Sequence, residues 1–146
     1  MTSIALLDVN VLVALFDPDH VHHEAAHDWF AATRKDGWAS CPITENGVIR
    51  ILSNMAYRGV HETTAMVRQR LDAFCSSGNH TFWHDPLSLR DQHRFRLSGV
   101  THTQLTDVYL LGVAVTHGGR LATFDRRIAL RAVINAEPKH LEIIPA

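Results

Sequence analysis

The chain has little lysine, little cysteine and no long apolar run. It carries two lysines, Lys35 and Lys139, against twelve arginines. With a formal net charge of −1, it has no global field to draw in nucleic acid, so any grip on phosphate must come from local placement. The arginine bias suits phosphate, which a guanidinium holds bidentately and an ammonium does not; a GC-rich genome produces the same bias. Two cysteines, Cys41 and Cys75, are too few for a disulfide framework and lack metal-motif spacing. They read as small semi-buried residues of a reducing compartment. No apolar stretch approaches the roughly 18–20 residues that span a bilayer. No basic segment followed by a long apolar one opens the sequence. A cytoplasmic protein without membrane contact is therefore expected. Repeats, low-complexity tracts and linkers are also missing, and residues 1–146 fit one domain.

What is present is an ordinary globular core, with 46% hydrophobic residues, and alternating patterns. Short apolar runs at Ile4–Leu7, Trp38–Cys41, His80–Trp83, Arg120–Phe124 and Leu141–Ile144 read as strands, the last at a sheet edge. Helical periods follow at Val11–Phe16, His22–Arg34, from Thr44 through Leu52, and Thr63–Phe74. Leu87–Leu97 and Ile128–Ile134 are further helix candidates. The segment from Thr106 to Val115 is apolar nearly all round, which predicts a helix buried against the sheet. Thr44 and Thr106 are candidate caps, and Tyr57-Arg58-Gly59 a turn. The helix-rich 50–80 region is expected to stand out as an arm. Strands alternating with helices imply a three-layer α/β sandwich with a central, mostly parallel sheet.

Four acids mark this frame. Asp8 and Asp125 terminate two apolar strands, and Glu45 and Asp107 open two helices. In a parallel sheet, strand ends and the following helix starts share one rim, where open α/β folds keep their ligands. Four carboxylates there would repel one another without a cation between them. Hard oxygen ligands of this kind suit Mg²⁺ or Mn²⁺, and such a centre can activate water and neutralise a phosphate leaving group.

The segments Leu6-Leu7-Asp8-Val9-Asn10-Val11-Leu12, Thr44-Glu45, Leu105-Thr106-Asp107-Val108-Tyr109-Leu110-Leu111 and Gly119-Arg120-Leu121-Ala122-Thr123-Phe124-Asp125-Arg126-Arg127 resemble, in order, the acidic motifs of PIN-domain nucleases. The similarity is especially close to the VapC-type toxins of bacterial toxin–antitoxin pairs. It implies a PIN-like fold and a Mg²⁺- or Mn²⁺-dependent endoribonuclease, with Asp8, Glu45, Asp107 and Asp125 as catalytic metal ligands. Asn10 and Thr123 match supporting polar positions. The resemblance further implies an RNA substrate, a cognate VapB-type antitoxin and a homodimer.

Arg90, Arg94 and Arg96 form one candidate RNA-binding strip, and Arg126, Arg127 and Arg131 another, holding phosphates without reading sequence. His20, His22, His23 and His27 read as a solvated helix face, and Trp29, Trp38 and Trp83 as core or interface. Two other readings compete. A haloacid-dehalogenase-like phosphatase needs a second aspartate where Asn10 stands and a well-placed lysine. A catalytically silent domain that binds RNA or a partner keeps the fold and discards the chemistry.

Overall fold

A computed structural model describes residues 3–57, 62–85 and 87–146. Its frame is five short parallel strands, β1 (Ala5–Leu7), β2 (Trp38–Ser40), β3 (His80–Phe82), β4 (Arg120–Thr123) and β5 (Leu141–Ile143), in the order β3-β2-β1-β4-β5. The chain winds outward from β1 through β2 to β3. It then returns to place β4 on the other side of β1. The crevice between the C-terminal ends of β1 and β4 is therefore the topological switch point, where open parallel sheets bind ligands.

Helices cover both faces. One face carries α1 (Val9–Phe16), α2 (His23–Thr33), α3 (Pro42–Leu52) and α4 (Thr64–Ser76). They bury Leu12, Phe30, Val48, Val67 and Leu71 against Ala5, Leu7, Trp38 and Ala122 of the sheet. The other face carries α5 (Leu105–Thr116), whose residues from Val108 to Ala114 are all buried. They pack on Leu6, Ala39 and Leu121, because an all-round apolar helix has no face to give to water. The alternation of faces along each strand accounts for the split. The sandwich and its parallel sheet match the sequence pattern. The 50–80 region is no free arm, since Val67 and Leu71 of α4 enter the core.

Four local expectations differ from the structure. No helix forms over 87–97. Ser88 Oγ accepts the Arg90 N–H (3.2 Å) and Asp91 Oδ1 accepts the His93 N–H (2.9 Å), side-chain bonds that compete with a helix. Phe95 then pairs with Val133 in an isolated antiparallel bridge. The bridge also limits the 128–134 segment to one 3₁₀ turn, Leu130–Ala132. Helix α3 starts at Pro42, with Cys41 as its cap and Thr44 bonding back to the Cys41 N–H at 2.9 Å. Helix α5 is entered from Gln104 rather than capped by Thr106. Arg58 and Gly59 of the expected turn lie outside the described residues.

Gly47 sets the spacing of two helices. A Cβ there would stand 2.6 Å from a Val9 methyl, closer than real contacts allow, so α3 and α1 cross at backbone distance. Those two helices carry Val9, Asn10, Arg50 and Ile51 to the rim.

Candidate active site at the strand switch point

Asp8 leaves β1 in an extended conformation (φ −61°, ψ 157°) and caps α1, its Oδ1 accepting the Val9 N–H at 2.7 Å. One acid thus ends a strand and begins a helix, which is why an apolar run can deliver it to the rim. It is buried, with 3% exposure. Its second oxygen accepts the Thr123 hydroxyl proton at 2.7 Å.

Thr123, fully buried at the end of β4, organises the crevice. Its hydroxyl donates to Asp8 and accepts from Asn10 Nδ2 (3.3 Å) and the Asp125 N–H (3.0 Å). One proton and two lone pairs are then all engaged, which exhausts a hydroxyl. Asn10 Oδ1 accepts the Phe124 N–H at 3.4 Å. Asn10 and Thr123 thereby fasten the ends of β1 and β4 together and aim both flanking acids.

Asp107 enters from the first turn of α5 and interacts electrostatically with both Asp8 and Asp125. Burial first, and then the charges of Asp8 and Asp125, push its pKa up to about 8. Burial also raises Asp8, against the lowering effect of the Thr123 and Val9 bonds. Asp125 behaves oppositely. Burial alone would raise it, but the Arg127 backbone N–H (2.8 Å) and guanidinium (3.3 Å) outweigh that and hold it below the usual carboxylate range. Without a cation the three acids titrate as one unit, with Asp8 and Asp107 both pushed toward the protonated form and Asp125 toward the ionised one. Among the described residues, no basic side chain is ion-paired to Asp8 or Asp107. A divalent ion with hard oxygen preference fits this donor set: it would compete with protons there and leave Thr123 and Val9 to hold Asp8.

Glu45 is placed differently. It lies in the first turn of α3, after β2 rather than beside the switch point. Its Oε2 accepts the Ser40 hydroxyl at 2.6 Å, and its near neighbours are Cys75 and His80. The structure gathers three of the four acids and sets the fourth one strand away.

A groove runs past the three aspartates. A cavity of about 400 Å³ is lined by Asp8, Asn10, Val13, His20, Arg50 and Asp107. A second, of about 590 Å³, shares Asn10 and His20 and adds His22, Phe124, Arg126 and Arg127. The structure therefore brings Arg126 and Arg127 beside the acids. It does not bring Arg94, whose guanidinium bonds Thr116 (3.1 Å) at the opposite end of α5 from Asp107 and pairs with Asp91. Arg90 is exposed on the turn beside Asp91, and Arg96 bonds the Arg131 carbonyl. Sequence reasoning passed over Arg50, for which no signal existed. It also read His22 as solvated surface, whereas its ring stacks on Phe124 at 4.7 Å. The remaining histidines of that group are local: His23 Nδ1 meets the Ala14 carbonyl oxygen at 2.7 Å, and His27 packs against His23. Trp38 and Trp83 are core, and Trp29 donates to Glu142 at 2.8 Å.

Comparison with known proteins agrees with this geometry. Residues 5–134 match the PIN domain. The chain is 45% identical over 126 residues to ribonuclease VapC39 of Mycobacterium tuberculosis, covering 86% of this chain and 91% of that protein. It is 43% identical over 143 residues to ribonuclease VapC44 of the same organism, covering 94% and 96%. Ribonuclease VapC29, also from that organism, is 39% identical over 125 residues, covering 85% and 87%. A strand switch point lined by aspartates, together with this similarity across nearly the whole length, places the chain in the PIN-domain family.

Proposed function

We propose that the chain is a metal-dependent endoribonuclease toxin, acting on RNA phosphodiester bonds and silenced by a small VapB-type antitoxin. Relatives named as ribonucleases over more than four-fifths of the chain support the activity. The observation that carries the mechanism is the Asp8–Asp107–Asp125 cluster, in which Arg127 pairs with Asp125 while neither Asp8 nor Asp107 has a basic partner among the described residues.

These three acids would hold Mg²⁺ or Mn²⁺. Glu45, bonded to Ser40 one strand away, would join them as the fourth acid only by giving up that partner. The cation supplies Lewis-acid charge stabilisation and water activation. The residues do the rest. Asp107, with its pKa pushed up to about 8, would have to be deprotonated to serve as a ligand. Thr123 keeps one Asp8 oxygen oriented, and Asn10 keeps the β1 and β4 ends in register. Arg126 and Arg127 on one side and Arg50 on the other hold backbone phosphates of the RNA along the groove. Val13 and Ile51 form apolar wall that limits water. The reaction is in-line attack of water on phosphorus, leaving a 5′-phosphate and a 3′-hydroxyl.

Purified protein incubated with RNA tests this reading. Cleavage is expected with Mg²⁺, is lost with EDTA, and is absent in Asp8→Ala and Asp107→Asn. Cleavage that persists in EDTA or in both variants overturns it. For the toxin role, induced expression should arrest growth and co-expression of the antitoxin should relieve it. Full growth while active enzyme accumulates argues against a toxin. The homodimer belongs to the same proposal, and light scattering of the purified protein reads it.

A further inference from the structure

The place where Glu45 rests is itself a converging set of ligands. Ser40, fully buried at the end of β2, donates its hydroxyl proton to Glu45 Oε2 (2.6 Å) and meets His80 Nε2 at 2.8 Å. Cys75 stands in the last turn of α4. One ligand atom from each of Glu45, Cys75 and His80 lies within 4.8 Å of the other two. The three residues come from α3, α4 and the start of β3. Each is half-buried rather than sealed, so a small ion has access.

Nucleophilic catalysis does not suit this group. Ser40 is inaccessible, and the Cys75 thiol is pushed up to about 11, by burial first and then by the charges of Glu45 and Asp72. That is the reverse of an activated thiol. A thiol, an imidazole and a carboxylate share one ligand class instead, divalent ions of intermediate softness.

We propose that Glu45, Cys75 and His80 form a second metal site, selective for Zn²⁺-like ions and separate from the aspartate centre. In a tetrahedral site, bond lengths of 2.0–2.3 Å put ligand atoms roughly 3.3–3.8 Å apart. Atoms at most 4.8 Å apart need to close by no more than about 1–1.5 Å, a shift within the reach of side-chain rotation, and Ser40 Oγ or a water takes the fourth position. Binding releases the Cys75 proton to solvent and involves no redox change. The ion ties the end of α4 to the start of α3 and fixes Glu45 on the β2 side. Cys75 and His80, five positions apart, match no familiar metal spacing. The turn at Gly78 (φ 113°) and Asn79 (φ 65°) brings them together.

The test is titration of the metal-free full chain with Co²⁺, read by absorption, which is independent of nuclease activity. The expected result is one thiolate-bound Co²⁺ per chain, read by a thiolate-to-cobalt charge-transfer band and tetrahedral d–d bands. The band is lost in Cys75→Ser, weakened at least about tenfold in affinity in His80→Gln, and kept in Cys41→Ser. It is also kept in the Asp8→Asn/Asp107→Asn double variant, which separates this site from the aspartate centre. A wild-type protein without the band, a band that survives in Cys75→Ser, or one lost in the aspartate double variant overturns the proposal. If Cys75→Ser does not fold, alkylation of Cys75 in the wild type decides. Zn²⁺ should slow it at least about tenfold and Mg²⁺ should not; equal rates overturn the site.

Discussion

Two clusters of titratable side chains lie one strand apart and differ in almost every physical respect. At the β1/β4 switch point, Asp8, Asp107 and Asp125 present only hard oxygens, with Asp8 buried and both Asp8 and Asp107 pushed toward the protonated form. Between β2 and β3, Glu45, Cys75 and His80 present oxygen, sulfur and nitrogen around a serine hydroxyl. The first set has excess negative charge and calls for a hard cation. The second is a satisfied hydrogen-bond network that becomes a metal site only by releasing a proton. Side-chain partners make the difference: β2 and β4 both flank β1, but Asp125 is tied to Thr123 beside Asp8, whereas Glu45 is tied to Ser40 and lies near Cys75 and His80.

The largest expected effect breaks the comparison at its acidic side. Asp8→Asn and Asp107→Asn should each lower RNA cleavage by on the order of 10³-fold, since a Lewis-acid metal is worth several kcal/mol in the transition state. Glu45→Gln should cost far less, on the order of tenfold. Equal losses in all three would merge the two clusters into one centre. Steady-state cleavage of a labelled RNA provides the comparison.

Thr123→Val removes one donor from Asp8 and leaves Asn10 Nδ2 and the Asp125 N–H unsatisfied. A stability loss of about 1–3 kcal/mol is expected, with weaker Mg²⁺ binding. Urea melts and metal titration read the two effects.

The pH dependence is specific to the aspartate cluster. Asp107 has a folded pKa of about 8 against an ordinary value of 3.8, so between those values the folded state binds more protons than the unfolded state. Stability of the metal-free protein therefore falls as pH rises from about 4 through 8. Asp107→Asn should flatten this fall. It should stabilise the metal-free protein at pH 9 by on the order of 1–3 kcal/mol after allowance for coupling and partial exposure. Metal affinity of the wild type should rise over the same interval as the competing proton leaves. Thermal melts with EDTA across pH decide, and an unchanged slope in Asp107→Asn removes the Asp107 proton from the picture.

The smallest effects lie along the groove. Arg126→Ala and Arg127→Ala should raise KM several-fold in a salt-dependent manner, while Arg94→Ala, at the far end of α5, should leave it unchanged. A matching KM increase in Arg94→Ala would place RNA on another face.

Much of this organisation was legible in the residues. Apolar runs ending in Asp8 and before Asp125, and the all-round apolar α5, already specify a parallel sheet with acids at its rim. Strand order was not legible, because β1-to-β4 adjacency is a long-range pairing with no local signature. Glu45 was grouped with the aspartates from its helix start and the Thr44-Glu45 resemblance; it does follow β2 at the same rim, but its side chain turns to Ser40. The 87–97 segment has a helical period, but Ser88 and Asp91 spend their side chains on backbone N–H groups and Phe95 pairs with Val133. Cys75 and His80 carried no recognisable spacing, since the turn that joins them depends on left-handed backbone at Gly78 and Asn79. His22, just before α2, and Phe124, just after β4, are 102 positions apart, and their stacking has no local signature.

The separation of the two centres is tested most directly by counting bound Mn²⁺ by electron paramagnetic resonance in the wild type, Asp107→Asn and Glu45→Gln. Expected is Mn²⁺ binding that is lost in Asp107→Asn and retained, at somewhat reduced affinity, in Glu45→Gln. Retention in Asp107→Asn together with loss in Glu45→Gln would contradict an aspartate centre at the switch point.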